Sequence, residues 1–272
     1  MTDSKPLPLS VSGKTALEVA RECSAISNEI IAAGFGQTSV SGVKGRGNVV
    51  TEVDLAVEKA CIDLLHREFP GHAVLSEETA SSVRDDGWMW VIDPVDGTKN
   101  FSRGIPHFCF TIALCHTHEP MVALTSHPLL EDEFVAVRGE GSKLNGQPAK
   151  VSETPLAEAV IAVDLGYDID KGMANLKLAQ TLWPHVASLR IPASAALDAA
   201  YLAAGRWDFY VHSSLEPWDI AAGLLLVTEA GGNVQTPEGN PATMYDTAVV
   251  AGSPKVLSEI LGVAGRLSGS SS

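Results

Sequence analysis

Apolar positions fall first at helical spacing, then at strand spacing, then in an alternation of the two. Leu17, Ala20, Cys23, Ile26, Ile30 and Ile31 recur on one helical face between Lys14 and Gly34, and Gly34 and Gly36 supply a stop. A Gly-rich loop, Gly42–Gly47, follows and carries Lys44 and Arg46. A second helix is predicted from Thr51, where Asp54 three residues on approximates a capping box. Leu55, Cys61, Leu64 and Leu65 form its expected apolar side, and Pro70 lies past its end. Between Ala73 and Val137 the runs shorten and become β-rich, with strands predicted around Val74, Trp90, Ile112, Leu124 and Val135 and a tight turn or hairpin over Gly139–Gly146. Beyond Val151 predicted strands around Ile161, Leu189, Tyr210, Val234 and Val250 alternate with helices around Leu178, Ala199, Leu224 and Leu257. An α+β half followed by an α/β half predicts two layered subdomains, residues 1–150 and 151–272.

Composition sharpens this. The chain has 272 residues, 45% hydrophobic and 19% charged, which predicts a packed core and not disorder. Its 19 Lys+Arg face 33 Asp+Glu, a net charge of −14, which argues against a nucleic-acid polymer or an anionic membrane as partner. If the substrate is itself anionic, bound cations are the obvious offset. Cys23, Cys61, Cys109 and Cys115 form no paired motif and read as buried thiols of a reducing compartment. No apolar run reaches membrane-span length, and the opening MTDSKPLPLS lacks a signal-peptide core, so a soluble cytoplasmic protein with a frayed Ser268–Ser272 tail is expected.

The acidic clusters carry the chemistry. Trp90-Val91-Ile92 is an apolar strand end that delivers Asp93; Pro94 is expected to stop the sheet there, and Asp96-Gly97 to turn the chain into a short helix opened by Thr98. Two carboxylates three residues apart on a turn can aim at one point, and the N–H groups of Gly97 and Thr98 suit a phosphate oxygen. The ligands are all oxygen, with no His or Cys beside them, which favours Mg²⁺, Mn²⁺ or Ca²⁺ over zinc. The plainer alternative is an Asx turn capping a helix. Asp54 and Asp219 also have a plain reading as helix N-terminal acids, Glu78 reads as a metal neighbour or, in preference, a solvated loop acid, and Lys44 as either a phosphate-steering or a solvated charge.

Asp93-Pro94-Val95-Asp96-Gly97-Thr98, with Asn100-Phe101 after it, resembles the signature of the inositol monophosphatase family. Trp218-Asp219-Ile220-Ala221-Ala222-Gly223 resembles the second family signature. Val50–Asp54, Ser76-Glu77-Glu78 and Ser194–Leu197 with Gly205–Asp208 resemble further family elements in the same order, from Lys14 to Gly262. The resemblance implies a layered α-β-α-β-α sandwich of the sugar-phosphatase type and Mg²⁺-dependent, lithium-sensitive hydrolysis of inositol monophosphate or a related sugar phosphate by direct attack of metal-activated water. It implies that Glu77, Asp93 and the Val95 carbonyl hold one metal, that Asp93, Asp96 and Asp219 hold a second, and that a weaker third shares Glu77. Asp54, Glu77 and Thr98 would be catalytic, Gly97 and Thr98 would bind phosphate, and Asp96, Ser194, Ala195 and His212 would meet the substrate. It implies a homodimer, and Mn²⁺ as a possible substitute for Mg²⁺. Ser76 and Ala193 stand where relatives often carry Gly, Glu216 where many carry Lys, and His212 where animal members carry a sugar-contacting Glu. His212 therefore reads either as a sugar contact or as a surface histidine. Arg190 and Arg206 are expected to be structural ion-pair partners. The substrate alternatives are fructose 1,6-bisphosphate, histidinol phosphate and 3′-phosphoadenosine 5′-phosphate. A non-enzymatic phosphosugar-binding protein is a further alternative, and an aspartyl-phosphate mechanism is disfavoured because two residues separate Asp93 from Asp96.

Overall fold

A computed structural model describes residues 6–37, 40–45, 48–79 and 87–268. Arg46, the opening residues 1–5 and the tail residues 269–272 lie outside them. The first helix, α1 (Ala16–Gly34), starts at Thr15, whose side chain accepts from the Glu18 amide in a full capping box. Strands β1 (Val40–Val43) and β2 (Val49–Thr51) pair antiparallel where a loop was expected. Helix α2 (Glu52–Glu68) begins after Thr51, and Asp54 completes the predicted capping box.

Strands β3 (Ala73–Ser76) and β4 (Trp88–Asp96) lead into the short helix α3 (Thr98–Ser102). Then come β5 (Cys109–His116), β6 (Glu119–His127), β7 (Asp132–Val137), β8 (Gly141–Leu144) and β9 (Gln147–Ala149). These seven strands form one sheet in the order β3-β4-β5-β6-β7-β8-β9, parallel only between β3 and β4. The second half runs β10 (Val160–Val163), α4 (Ile169–Leu182), β11 (Ser188–Arg190), α5 (Ala195–Ala203), β12 (Phe209–His212), α6 (Pro217–Glu229), β13 (Asn233–Gln235), β14 (Val249–Gly252) and α7 (Pro254–Ser268). Its five strands form a sheet in the order β11-β10-β12-β14-β13. The final helix reaches Ser268, beyond the expected boundary near Leu261.

The layers follow from side-chain size. Along β4 and β5 the inner face alternates with the outer one. Trp90, Ile92, Phe110, Ile112 and Leu114 face α1 and α2, whereas Met89, Val91, Cys109, Ala113 and Cys115 face α5 and α6. Small residues on that second face admit two Ala-rich helices between the sheets. Helices α4 and α7 cover the far side of the smaller sheet. The order is α-β-α-β-α, the expected sandwich.

Three expectations change. Pro94 does not end the sheet: β4 continues to Asp96, which pairs with Cys109 after a bulge that absorbs the missing N–H. Ile26 and Leu55 face solvent. Ser24 and Ser27 turn inward on α1, and on α2 the stripe Asp54 and Glu58 claims the position beside the site. The four cysteines are buried and free, as expected.

Helices α5 and α6 cross with Gly223 at the contact, where an added Cβ would lie 2.7 Å from the Ala199 Cβ. Gly223→Ala is expected to lower stability by about 1–3 kcal/mol through overpacking, measured by urea unfolding. An unchanged midpoint would show that the two helices are not in intimate contact.

Candidate active site

Helix starts and one strand end converge between the sheets. Asp93 and Asp96 come from the end of β4, Thr98 from the first position of α3, Asp54 from the first turn of α2 and Asp219 from the first turn of α6. Carboxylate oxygens of Asp93, Asp96 and Asp219 all lie within 4.8 Å of one another. Together with Glu77, Val95, Gly97 and Thr98 they line a cavity of about 370 Å³.

Each acid is held by backbone amides. Thr51 N–H donates to Asp54 Oδ2 at 2.9 Å, and the Thr98 hydroxyl lies 3.0 Å from Asp54 Oδ1 and 2.8 Å from the Val95 carbonyl. Val95 N–H donates to Asp93 Oδ1 at 3.0 Å. Glu216 N–H donates to Asp219 Oδ2 at 2.8 Å, completing a capping box on α6. Asp219 is therefore a helix-capping acid and a cavity-lining acid at once, whereas Asp54 caps α2 from full burial and reaches the cavity wall through Thr98. Asp96 sits against the start of α5: the amides of Ala195 and Ala196 donate to it at 3.1 and 3.0 Å, and the Ser194 hydroxyl donates to Oδ2. Ser194 and the Ala195 amide thus address Asp96 and not open cavity.

Burial pushes the carboxyls of Asp93 and Asp219 well above the ordinary carboxylate range, and the neighbouring acids add to it. Asp96 and Asp54 are raised by burial too, with their hydrogen bonds pulling the other way. Glu77 is raised to about 7 by burial, against the pull of Lys44. Lys44 Nζ lies 3.0 Å from Glu77 and 2.6 Å from Glu78, so it pairs with both acids. Glu78 is not a solvated loop acid, since its side chain is only 6% exposed. Among the described residues no ion pair reaches Asp93, Asp96 or Asp219. An all-oxygen donor set, buried and without a cationic side chain paired to it, fits a hard divalent ion.

His212 is buried; its Nδ1 accepts the Ser214 amide at 3.0 Å, which leaves the proton of the neutral ring on Nε2. Burial lowers its pKa to about 4. The ring faces an adjoining cavity and is not a surface histidine. Arg206 pairs with Asp132 at 2.5 Å and stacks over Tyr201, as expected of a structural arginine. Arg190 instead hydrogen-bonds Ser188 and the Leu189 carbonyl, with no acid partner among the described residues.

Sequence reasoning missed the supports. Buried Glu58 accepts from Ser76, the Glu78 amide and Thr79, and so shapes the loop that carries Glu77. Asn100 donates to the carbonyls of His107 and Pro192, and Asp164 accepts the Ala193 amide at 2.8 Å. These contacts hold Ala193 at φ 63°, a left-handed bend that turns the chain into α5. Burial and the facing Asp198 push Asp164 well above the usual range. The available signals were Asn100 two residues after Thr98 and the acids Asp164 and Asp198 in apolar surroundings.

Residues 13–265 match the Inositol monophosphatase family. The chain is 38% identical over 221 residues to the Nus factor SuhB of Salmonella typhimurium, covering 80% of this chain and 83% of that one. It is 38% identical over 229 residues to the inositol monophosphatase of Dictyostelium discoideum, covering 80% and 82%. Among solved structures it resembles the extragenic suppressor protein suhB of Bartonella henselae, with a TM-score of 0.86 at 29% identity over 91% of this chain and 97% of that one. It also resembles the IMPase of Thermotoga maritima, with a TM-score of 0.83 at 30% identity over 93% and 98%. The chain belongs to the inositol monophosphatase family. It is a phosphatase acting on phosphoric monoesters.

Three outcomes follow from this geometry. Ala193→Gly relieves the left-handed strain and is expected to stabilise the fold by about 1 kcal/mol, read by urea unfolding. A loss of stability would mean that the Ala193 methyl group matters more than its backbone. Without divalent cations, the raised Glu77 keeps a proton in the folded chain that the unfolded chain has released. Stability is therefore expected to fall as pH rises from the ordinary glutamate range through about 7. A divalent ion such as Mg²⁺ should raise the melting temperature more at about pH 8 than at about pH 5, because only the ionised acids are ligands for it. A magnesium effect independent of pH would contradict this picture.

Proposed function

We propose that the chain hydrolyses a small phosphate monoester, inositol monophosphate or a related sugar phosphate, with Mg²⁺ as cofactor and water as the attacking group. The observation that carries the reading is the convergence of Asp93, Asp96 and Asp219 within 4.8 Å, beside the Asp54–Thr98 pair. In this reading Glu77, Asp93 and the Val95 carbonyl hold one ion, Asp93, Asp96 and Asp219 hold a second, and a weaker third shares Glu77; Mn²⁺ substitutes for Mg²⁺. When bound, the ions neutralise the ester's charge and lower the pKa of water.

The chain's own groups do the rest. Thr98 has one hydroxyl proton and two acceptors, Asp54 Oδ1 and the Val95 carbonyl, so its oxygen is left to orient an incoming water. Asp54, fixed at Oδ2 by Thr51, takes a proton through Thr98. Glu77 lines the same cavity and helps to orient that water. The amides of Gly97 and Thr98 face phosphate oxygens at the start of α3. Ser194 and Ala195 act on the substrate through Asp96, which they hold, and the neutral His212 keeps its Nε2 proton and uses it only to hydrogen-bond the leaving alcohol.

The reading includes lithium sensitivity, because Li⁺ competes for hard oxygen ligands. It also includes two subdomains, 1–150 with most of the ligands and 151–272 with Asp219 and the substrate pocket. Four buried free thiols support a reducing, cytoplasmic location. No helix among the described residues is long and apolar enough to cross a membrane. Exposed Ile105 and Trp183 are apolar surface that a second copy would cover in a homodimer.

Phosphate release from a panel of sugar, cyclitol and nucleotide phosphates, with Mg²⁺ and with or without Li⁺, tests the reading. Release should need the divalent ion and fall in Li⁺, and Asp93→Asn should abolish it. Release from Asp93→Asn at the parent rate would overturn the assignment. Thr98→Ala is expected to lower kcat by about 10²–10⁴ while KM stays within about twofold, since Thr98 serves the attacking water more than the bound ester.

A further inference from the structure

Two further aspartates, unused by the reaction as described, meet behind the acidic cavity. Asp164 is the first residue after β10, and Asp198 lies in the first turn of α5. They are 1% and 0% exposed, and their side chains are hydrogen-bonded to each other. Among the described residues no Lys or Arg pairs with either. Their other contacts are fixed. Asp164 Oδ1 accepts the Ala193 amide at 2.8 Å, and the Tyr210 hydroxyl lies 3.4 Å from Oδ2. Asp198 Oδ1 accepts the Trp207 indole N–H at 3.1 Å and the His107 Nε2–H at 3.0 Å. His107 adds no charge there, because burial lowers its pKa below the usual histidine value. No N–H or hydroxyl donor among the described residues reaches the buried Asp198 Oδ2.

An ionised carboxylate only accepts, so a hydrogen bond between two carboxyl groups needs a proton on one of them. The surrounding donors say which. Asp198 receives two N–H groups on Oδ1, the support that a buried carboxylate requires. Asp164 receives a single amide on Oδ1, which leaves Oδ2 to carry a hydroxyl proton. Burial pushes both carboxyls up; the facing Asp198 pushes Asp164 further, while the bonds from Asp164 and Trp207 pull Asp198 back. Asp164 also lines a cavity of about 440 Å³ that shares Asp96, Gly97 and Asp219 with the acidic one, and Lys99, Tyr167 and Asp168 stand around it there. The bend that Asp164 holds at Ala193 brings Ser194 and the Ala195 and Ala196 amides onto Asp96.

We propose that Asp164 is a neutral carboxylic acid whose Oδ2–H donates to Asp198 Oδ2, and that this buried proton positions Asp96 for its metal ion. The part concerning Asp96 rests on its reading as a metal ligand; the proton itself does not. Kept neutral, Asp164 accepts the Ala193 amide with its carbonyl oxygen and adds no charge to a space open to the alcohol part of an anionic ester. Without the proton, two facing anions would push Asp164 off that amide, and the start of α5 would slacken around Asp96. Asp164 and Asp198 are positioning residues, because they act through Ala193 and Asp96.

Asparagine separates the proton from the shape. In Asp164→Asn the amide oxygen still accepts from Ala193 and the NH₂ donates to Asp198; in Asp198→Asn the oxygen still accepts from Trp207 and the NH₂ donates to Asp164. Each single variant should melt near the parent and keep its calorimetric Mg²⁺ affinity and its kcat within about threefold. The double variant sets NH₂ against NH₂, and flipping either amide turns it onto the Ala193 or Trp207 N–H. It should bind Mg²⁺ roughly tenfold or more weakly, although its volume is the parent's. If it fails to fold while both singles melt near the parent, the same incompatibility is read from stability. Infrared difference spectra of the Mg²⁺-loaded chain at about pH 8 should show a carboxylic-acid C=O band in the parent that Asp164→Asn lacks. A parent without that band would overturn the inference. So would a double variant no worse than the sum of the singles, or an Asp164→Asn variant as impaired as Asp164→Ala. Absence of Mg²⁺-dependent phosphate release from the parent on every ester, with the band present, would instead strike the phosphatase reading and leave the shared proton standing.

Discussion

Mutual repulsion among buried carboxylates is the constraint around which this molecule is arranged. Asp93, Asp96 and Asp219 crowd one low-dielectric space with Glu77 at its edge, and burial disfavours every one of their charges. The fold holds them there with the positive ends of helices. The Asp54 carboxylate closes the start of α2, Asp96 lies on the first amides of α5, and Asp219 closes the start of α6. Thr98 opens α3 at the same place. Several helix N-termini thus point toward one cavity, and their partial positive charges seat the acids.

That convergence depends on how the two sheets are spaced. Large side chains of β4 and β5 face α1 and α2, and small ones face α5 and α6, so two thin helices fit between the sheets with their starts beside the end of β4. Gly97, at φ 84°, lets the chain turn from β4 into α3 under the His107 carbonyl and Ser194, where any Cβ would crowd both. Asn100 and Asp164 then fix the bend before α5, and α5 fixes Asp96. The site is thus supported by a chain of hydrogen bonds that runs from one sheet through a loop to the other.

Much of this was legible from local pattern. The capping signals at Thr51 and Pro217, the apolar run into Asp93 and the Asp-Gly turn all have short-range causes, and they placed Asp54, Asp93, Asp96, Thr98 and Asp219 at helix starts or at a strand end. What stayed hidden depends on long-range partners. Glu58 looks like any helix acid until Ser76 and Thr79 arrive on it from across the fold. Lys44 cannot be assigned from a Gly-rich loop until Glu77 and Glu78 are seen beside it. Pro94 misled because a bulge, invisible in the sequence, carries β4 past it. The exposure of Ile169 and Met173 on α4 was hidden for a further reason: a residue's helical face can be counted, but whether that face meets core or solvent is decided by the neighbouring layers.

The double employment of Asp54, Asp96 and Asp219 bears on how this family diverges. Each carboxylate terminates or receives a helix as well as lining the cavity or, for Asp54, bonding the Thr98 hydroxyl that lines it, so replacing one loosens the architecture whether or not the chain still turns over an ester. Selection for a well-folded chain is then enough to keep these acids. A descendant recruited to some other cellular task would go on displaying an intact catalytic signature long after its chemistry had ceased to matter.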